Sequence, residues 1–208
     1  MVMTLHDIDK ALGDLAYVRS QLAKSSEFRG HGPFTLVATA LLALIGTALQ
    51  WRYVPDAAAD ITRYLEIWIA TGAVSLLLIA VEVIARTRQV HYGLADQMLF
   101  AALEQLLPSV VAGTLVTWVL VRYAPDTQWM LPGLWQILLS LGMFASTRSV
   151  PRTAFCLGVW YMLTGLICLA LAHGANAFSP FAMGLPFGLG QLLAAILFRG
   201  TARPDAQS

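Results

Sequence analysis

Residues 62 to 85 read TRYLEIWIATGAVSLLLIAVEVIA, a run whose few charged side chains lie near its two ends. At ~1.5 Å per residue, such a run crosses the ~30 Å hydrocarbon layer of a bilayer as a single α-helix. Five more apolar stretches accompany it, over residues 34 to 53, 98 to 121, 129 to 146, 153 to 173 and 180 to 198, joined by short connections. The reading is an all-α membrane protein with six transmembrane helices. Composition agrees: 58% of the 208 residues are apolar, only 12% are charged, and the mean hydropathy is +0.67. A soluble domain carries about 25% charged residues, so that class is excluded, along with any large domain outside the membrane. A net charge of +1 offers no basic patch, so nucleic acid is not an expected partner.

Charge sorts by side. Lys10, Arg19, Lys24, Arg29, Arg86, Arg88, Arg148, Arg152, Arg199 and Arg203 fall on one side of the six spans, and only Arg52, Arg63 and Arg122 on the other. The positive-inside rule then puts both termini in the cytoplasm. Trp51, Tyr53, Tyr64, Trp68, Tyr123 and Trp129 gather at the sparsely charged ends and read as a headgroup belt. The organisation expected is residues 1–33 as an amphipathic helix and hinge, 34–198 as the bundle and 199–208 as a tail. The polar, mixed-charge stretch before the first span is not expected to be a cleavable signal. Cys156 and Cys168, on one span, are about 18 Å apart along a helix and out of disulfide reach of each other.

Thr4 and Asp7 form a capping signal, and Leu5, Ile8, Leu12, Leu15 and Leu22 then share one helical face, interrupted by Arg19. A cytoplasmic amphipathic helix over residues 5–24 follows. Two uses stay open: packing on the membrane or the bundle, or a short seam joining a second copy or a cytoplasmic protein partner.

The pentapeptide Arg52-Tyr53-Val54-Pro55-Asp56 recurs as Arg122-Tyr123-Ala124-Pro125-Asp126, four matches in five at an offset of 70. Ten residues past each Asp stands a polar residue inside the next span, Glu66 or Gln136. Leu131-Pro132-Gly133-Leu134-Trp135-Gln136 is echoed, with one extra residue, by Leu185-Pro186-Phe187-Gly188-Leu189-Gly190-Gln191. The chain therefore reads as three helical hairpins, each with a polar side chain in its second helix. Parallel repeats of this kind occur in some transporters.

Ionisable groups at membrane depth mark candidate sites because an unpaired charge there is costly. Glu66, Gln136, Gln191 and Glu104 form the candidate polar set, with two readings for the first three: convergence on an axial cavity, or hydrogen bonds that hold helices together. Glu82 with Arg86, Arg52 with Asp56 and Arg122 with Asp126 are candidate interfacial ion pairs. Gly184, Gly188 and Gly190 around Pro186 read as a close-packing surface or as a break lining a ligand. There is no Gly-x-Ser-x-Gly elbow, Cys-x-x-Cys or His-Glu-x-x-His, so no catalytic residue, metal site or cofactor is expected.

Asp14-Leu15-Ala16-Tyr17-Val18-Arg19, Ser25-Ser26-Glu27-Phe28, Leu131-Pro132-Gly133-Leu134-Trp135, Val159-Trp160-Tyr161-Met162-Leu163-Thr164-Gly165 and the stretch from Gly184 to Leu193 carry a resemblance that spans most of the chain. The sequence resembles a family of small bacterial six-span integral membrane proteins, in many cases encoded beside winged-helix regulators. The resemblance implies a regulatory or sensory association and no catalytic residue. The functional expectation is a non-enzymatic sensory, regulatory or scaffold module acting through its cytoplasmic helix. The alternative is a small-solute permease using the polar residues of the repeated hairpins.

Overall fold

The computed structural model describes residues 33–90, 94–146 and 152–200. Among them six α-helices follow one another: α1 Pro33–Tyr53, α2 Ile61–Val90, α3 Leu94–Tyr123, α4 Leu131–Ser146, α5 Arg152–Leu171 and α6 Pro180–Gly200. Short 3-10 turns at Pro125–Met130 and Gly174–Asn176 precede α4 and α6, and no strand occurs among the described residues. Among the described residues three segments are long and apolar enough to cross a membrane, Phe34–Tyr53, Ile61–Glu82 and Pro180–Leu197; Leu107–Tyr123 and Phe155–Leu171 are shorter apolar helices. The amphipathic helix expected over residues 5–24 lies outside the described residues.

Local chemistry sets the helix ends. Both α1 and α3 stop at the tyrosine of the repeated pentapeptide, two residues before Pro55 and Pro125, because a proline disfavours helical backbone in the residue ahead of it. Asp60 opens α2 as a cap, its Oδ1 accepting the Arg63 amide at 3.3 Å. Pro180 takes the first position of α6, where its missing N–H leaves no helical bond unmade.

Each helix packs on its chain neighbours, and α6 returns to α1, so the six form a closed ring. The seams of that ring are unequal. The most extensive are α4–α5 and α1–α6, and glycines explain why. A Cβ at Gly165 would lie 2.9 Å from the Gly133 carbonyl, and one at Gly133 2.9 Å from the Gly165 carbonyl, so two backbones touch there. Gly184 is similarly pressed against Thr47, and Gly188 faces Leu44. The α2–α3 seam is slight, and Gly72 of α2 faces open space. Accordingly α2 exposes Ile69, Val74, Leu77 and Val81, while α3 exposes Val110, Leu115, Trp118 and Val119.

The larger buried cluster lies toward the end where α1 finishes and α2 begins, and a smaller one, Leu36 with Leu157, Ala194 and Ala195, toward the other. Tyr64, Trp68, Val54, Phe178 and Met183 are buried together, with Trp129, Trp135 and Phe187 against them. Tyr64 stacks on Trp135 at 6.4 Å and meets Phe178 edge-on at 4.9 Å. This corrects the expected aromatic belt. Trp51, Tyr53 and Tyr123 are exposed, but Tyr64 is 0% and Trp68 5% exposed, since Tyr64 turns toward Trp135 and Phe178 and Trp68 toward Gln50 of α1.

Candidate functional site

Two buried amides, those of Gln50 and Gln136, are engaged between helices. Gln50, near the end of α1, donates Nε2–H to the Phe178 carbonyl at 2.6 Å and accepts the Trp68 indole N–H on Oε1 at 2.8 Å. One amide thereby ties α1 to α2 and to the connection ahead of α6. Phe178 has φ +57°, a left-handed conformation that is unfavourable for a bulky residue. Its carbonyl and ring are held by Gln50 and Tyr64 respectively.

Gln136 on α4 is 0% exposed and donates to the carbonyls of Pro132 at 3.1 Å and Ala182 at 2.9 Å. The second contact has a clear cause. Pro186 lies inside α6 and has no N–H, so the carbonyl four residues earlier, that of Ala182, loses its helical donor. Gln136 supplies one from α4, across the ring, which is how a proline is accommodated where water is absent.

Two further indoles repeat the motif set by Trp68. Trp135 of α4 donates to Thr117 Oγ1 of α3 at 2.8 Å, and Trp160 of α5 donates to the Pro186 carbonyl of α6 at 3.0 Å. The successive pairs α1–α2, α3–α4 and α5–α6 are thus each joined by one indole hydrogen bond. Gly190 makes the third possible: a Cβ there would lie 3.0 Å from Trp160 Nε1. None of these indole contacts, nor the role of Gln50, was read from the sequence. The available signal was one tryptophan in the second helix of the first two pairs and in the first helix of the third.

No family model matches the chain, and neither a curated protein nor a solved structure matches it.

The residues singled out from the sequence occupy separate surroundings. Glu66 is exposed and lines a cleft of about 220 Å³ with Leu49, Tyr53 and Arg63, whereas Gln136 is enclosed between α4 and α6. Gln191 is half-buried on α6 and makes no side-chain hydrogen bond among the described residues. Glu104 is exposed on α3. Glu82 is half-buried, and the side chain of Arg86, its expected partner, lies outside the described residues.

Two expected ion pairs are corrected. Arg52 lies over the Tyr53 ring at 5.5 Å and Arg122 over the Tyr123 ring at 5.7 Å, and neither forms an ion pair with the aspartate of its own repeat. The proline after each tyrosine turns the chain, and Asp56 Oδ1 instead accepts the Ala59 amide at 3.1 Å. Arg63 pairs with Asp60 at 3.3 Å on an exposed surface, where such a bridge contributes little. Among the described residues no group of three His, Cys, Asp or Glu is placed to hold a metal.

Proposed function

We propose that the chain is a six-span integral membrane protein of a bacterial inner membrane with both termini in the cytoplasm. It acts there as a non-enzymatic sensory, regulatory or scaffold module, engaging a second copy or a cytoplasmic protein through residues 5–24. One observation carries this reading for the bundle: the buried amides of Gln50 and Gln136 are engaged in joining helices. A side chain that holds a backbone carbonyl within the bundle serves cohesion. The aromatic cluster between α2, α4 and α6 fills the space that an axial cavity at this end requires. Six spans rather than three are supported by the apolar character shared by all six helices and by the ten-to-three division of basic residues.

The test removes residues 1–25 and measures oligomer mass and co-purifying proteins in mild detergent. The expected result is loss of a partner or of self-association with thermal unfolding of the bundle unchanged. Unchanged assembly and partners overturn the proposal.

The permease reading draws on one specific observation. Gln136 Oε1 and Tyr64 Oη are buried without a hydrogen-bond partner among the described residues, and such atoms serve as places for a polar solute or a water. Solute uptake into proteoliposomes that disappears in Gln136→Ala, with the fold intact, replaces the scaffold reading by this one.

A further inference from the structure

Of the three seams that join one indole-linked pair to the next, two are closed by glycine contacts and the third, α2–α3, is open. Along it runs an apolar cleft of about 610 Å³, lined by Leu65 and Ile69 of α2 and by Val110, Thr114 and Trp118 of α3, with Arg122 at its end. That volume falls among ligand sites, which measure roughly 300–1,000 Å³. From Val110 to Arg122 the cleft follows α3 for about 18 Å. One leaflet contributes about 15 Å of hydrocarbon, half the bilayer core. The cleft is therefore as long as one acyl chain is deep, with a cation at headgroup level. The Tyr123 ring lies beneath the Arg122 guanidinium, and no carboxylate among the described residues forms an ion pair with it, so its charge is open to an outside anion.

We infer that the α2–α3 cleft is a binding site for an anionic phospholipid of the leaflet at this end of the bundle, with an acyl chain along Val110 to Trp118 and the phosphate on Arg122. The inference rests on the membrane-spanning reading above. The lipid completes the ring where protein packing does not. A zwitterionic lipid fits the same cleft but brings its own cation to Arg122, so the preference is for a net negative headgroup. One interfacial arginine favours anionic lipid by about fivefold, and that is the selectivity expected.

The test reconstitutes the full chain into phosphatidylcholine vesicles containing a small, equal fraction of chain-brominated phosphatidylglycerol or chain-brominated phosphatidylcholine. Fluorescence is compared between wild type and Trp118→Phe to isolate the contribution of Trp118, since Trp135 also lines the cleft. The expected result is quenching of Trp118 at about one fifth of the lipid fraction when the brominated lipid is phosphatidylglycerol. Arg122→Gln abolishes that difference and Arg122→Lys keeps it. Thr114→Phe, which fills the cleft from an exposed position, removes the specific quenching by either lipid. Equal quenching by the two lipids in wild type, or selectivity that survives Arg122→Gln, overturns the inference. So does a Thr114→Cys variant that crosslinks to a second copy, since the cleft is then covered by protein. Failure of the chain to remain with the vesicles after alkaline washing overturns the membrane-spanning reading itself, and is seen separately from any loss of selectivity.

Discussion

Gln136 of α4 donates a 2.9 Å hydrogen bond to the Ala182 carbonyl of α6, the acceptor that Pro186 leaves without its helical donor. The two residues make sense only together: the proline creates an orphan acceptor in an apolar bundle, and the amide answers it from the next helix but one. Gln136→Leu is expected to destabilise the bundle by roughly 1–2 kcal/mol. Restoring the backbone N–H with Pro186→Ala should reduce that penalty to less than half, a coupling that a double-mutant cycle of thermal unfolding in detergent reads directly. Equal penalties in the two backgrounds would mean that the bond contributes nothing of its own.

The indole contacts of Trp68 and Trp135 should differ in weight. Trp68→Phe leaves Gln50 Oε1 without its donor at a position only 1% exposed, and a loss of about 1–3 kcal/mol is expected. Trp135→Phe should cost less than about 1 kcal/mol, because Thr117 Oγ1 keeps its own bond to the Gly113 carbonyl and is partly exposed. Unfolding followed by helical circular dichroism gives the order.

Alanine at the glycines separates closed seams from the open one. Gly165→Ala and Gly184→Ala drive a methyl group into the Gly133 carbonyl and into Thr47, and such overpacking costs about 1–3 kcal/mol. Gly72→Ala meets nothing within 4 Å and should be neutral or stabilising by up to about 1 kcal/mol through helix propensity. Melting temperatures of the three variants check this, and a Gly72 variant as damaged as the others would refute the unequal seams.

Phe178 combines a positive φ with a buried ring. Removing the ring in Phe178→Ala is expected to cost about 3–5 kcal/mol. Phe178→Gly loses the same ring yet relaxes the backbone, so it should be more stable than the alanine variant by about 1 kcal/mol. The reverse order in a denaturant titration would indicate that the left-handed conformation is not retained.

The helices themselves were legible in the sequence. Apolar runs over 34 to 53, 129 to 146 and 180 to 198 match α1, α4 and α6 within two residues, because an apolar run of that length has few alternatives to helix. The core side chains were not. Hydropathy places Gln50 at the end of a span and Tyr64 and Trp68 near the start of one, where amphipathic residues usually meet water. Whether an amide reaches water or a carbonyl depends on how the loop before α6 folds back, and that loop is 128 residues away from Gln50. For Gln136 both halves of the pattern were present, a polar residue in one apolar run and Pro186 in another. What was missing was their adjacency across the ring, which no local spacing encodes.

The closure of α6 on α1 also dictates a timetable. At synthesis rates of about 5–20 residues per second, the Phe178 carbonyl follows Gln50 out of the ribosome by roughly 6–26 s. Through that interval α1 holds Thr47 and Gln50 without the helix against which they finally pack. The first of the described helices to be made is thus among the last to be locked, and a chain that stops short of α6 leaves α1 unsealed. Thr47, buried against Gly184 in the finished bundle, therefore stays uncovered on α1 until α6 has been made.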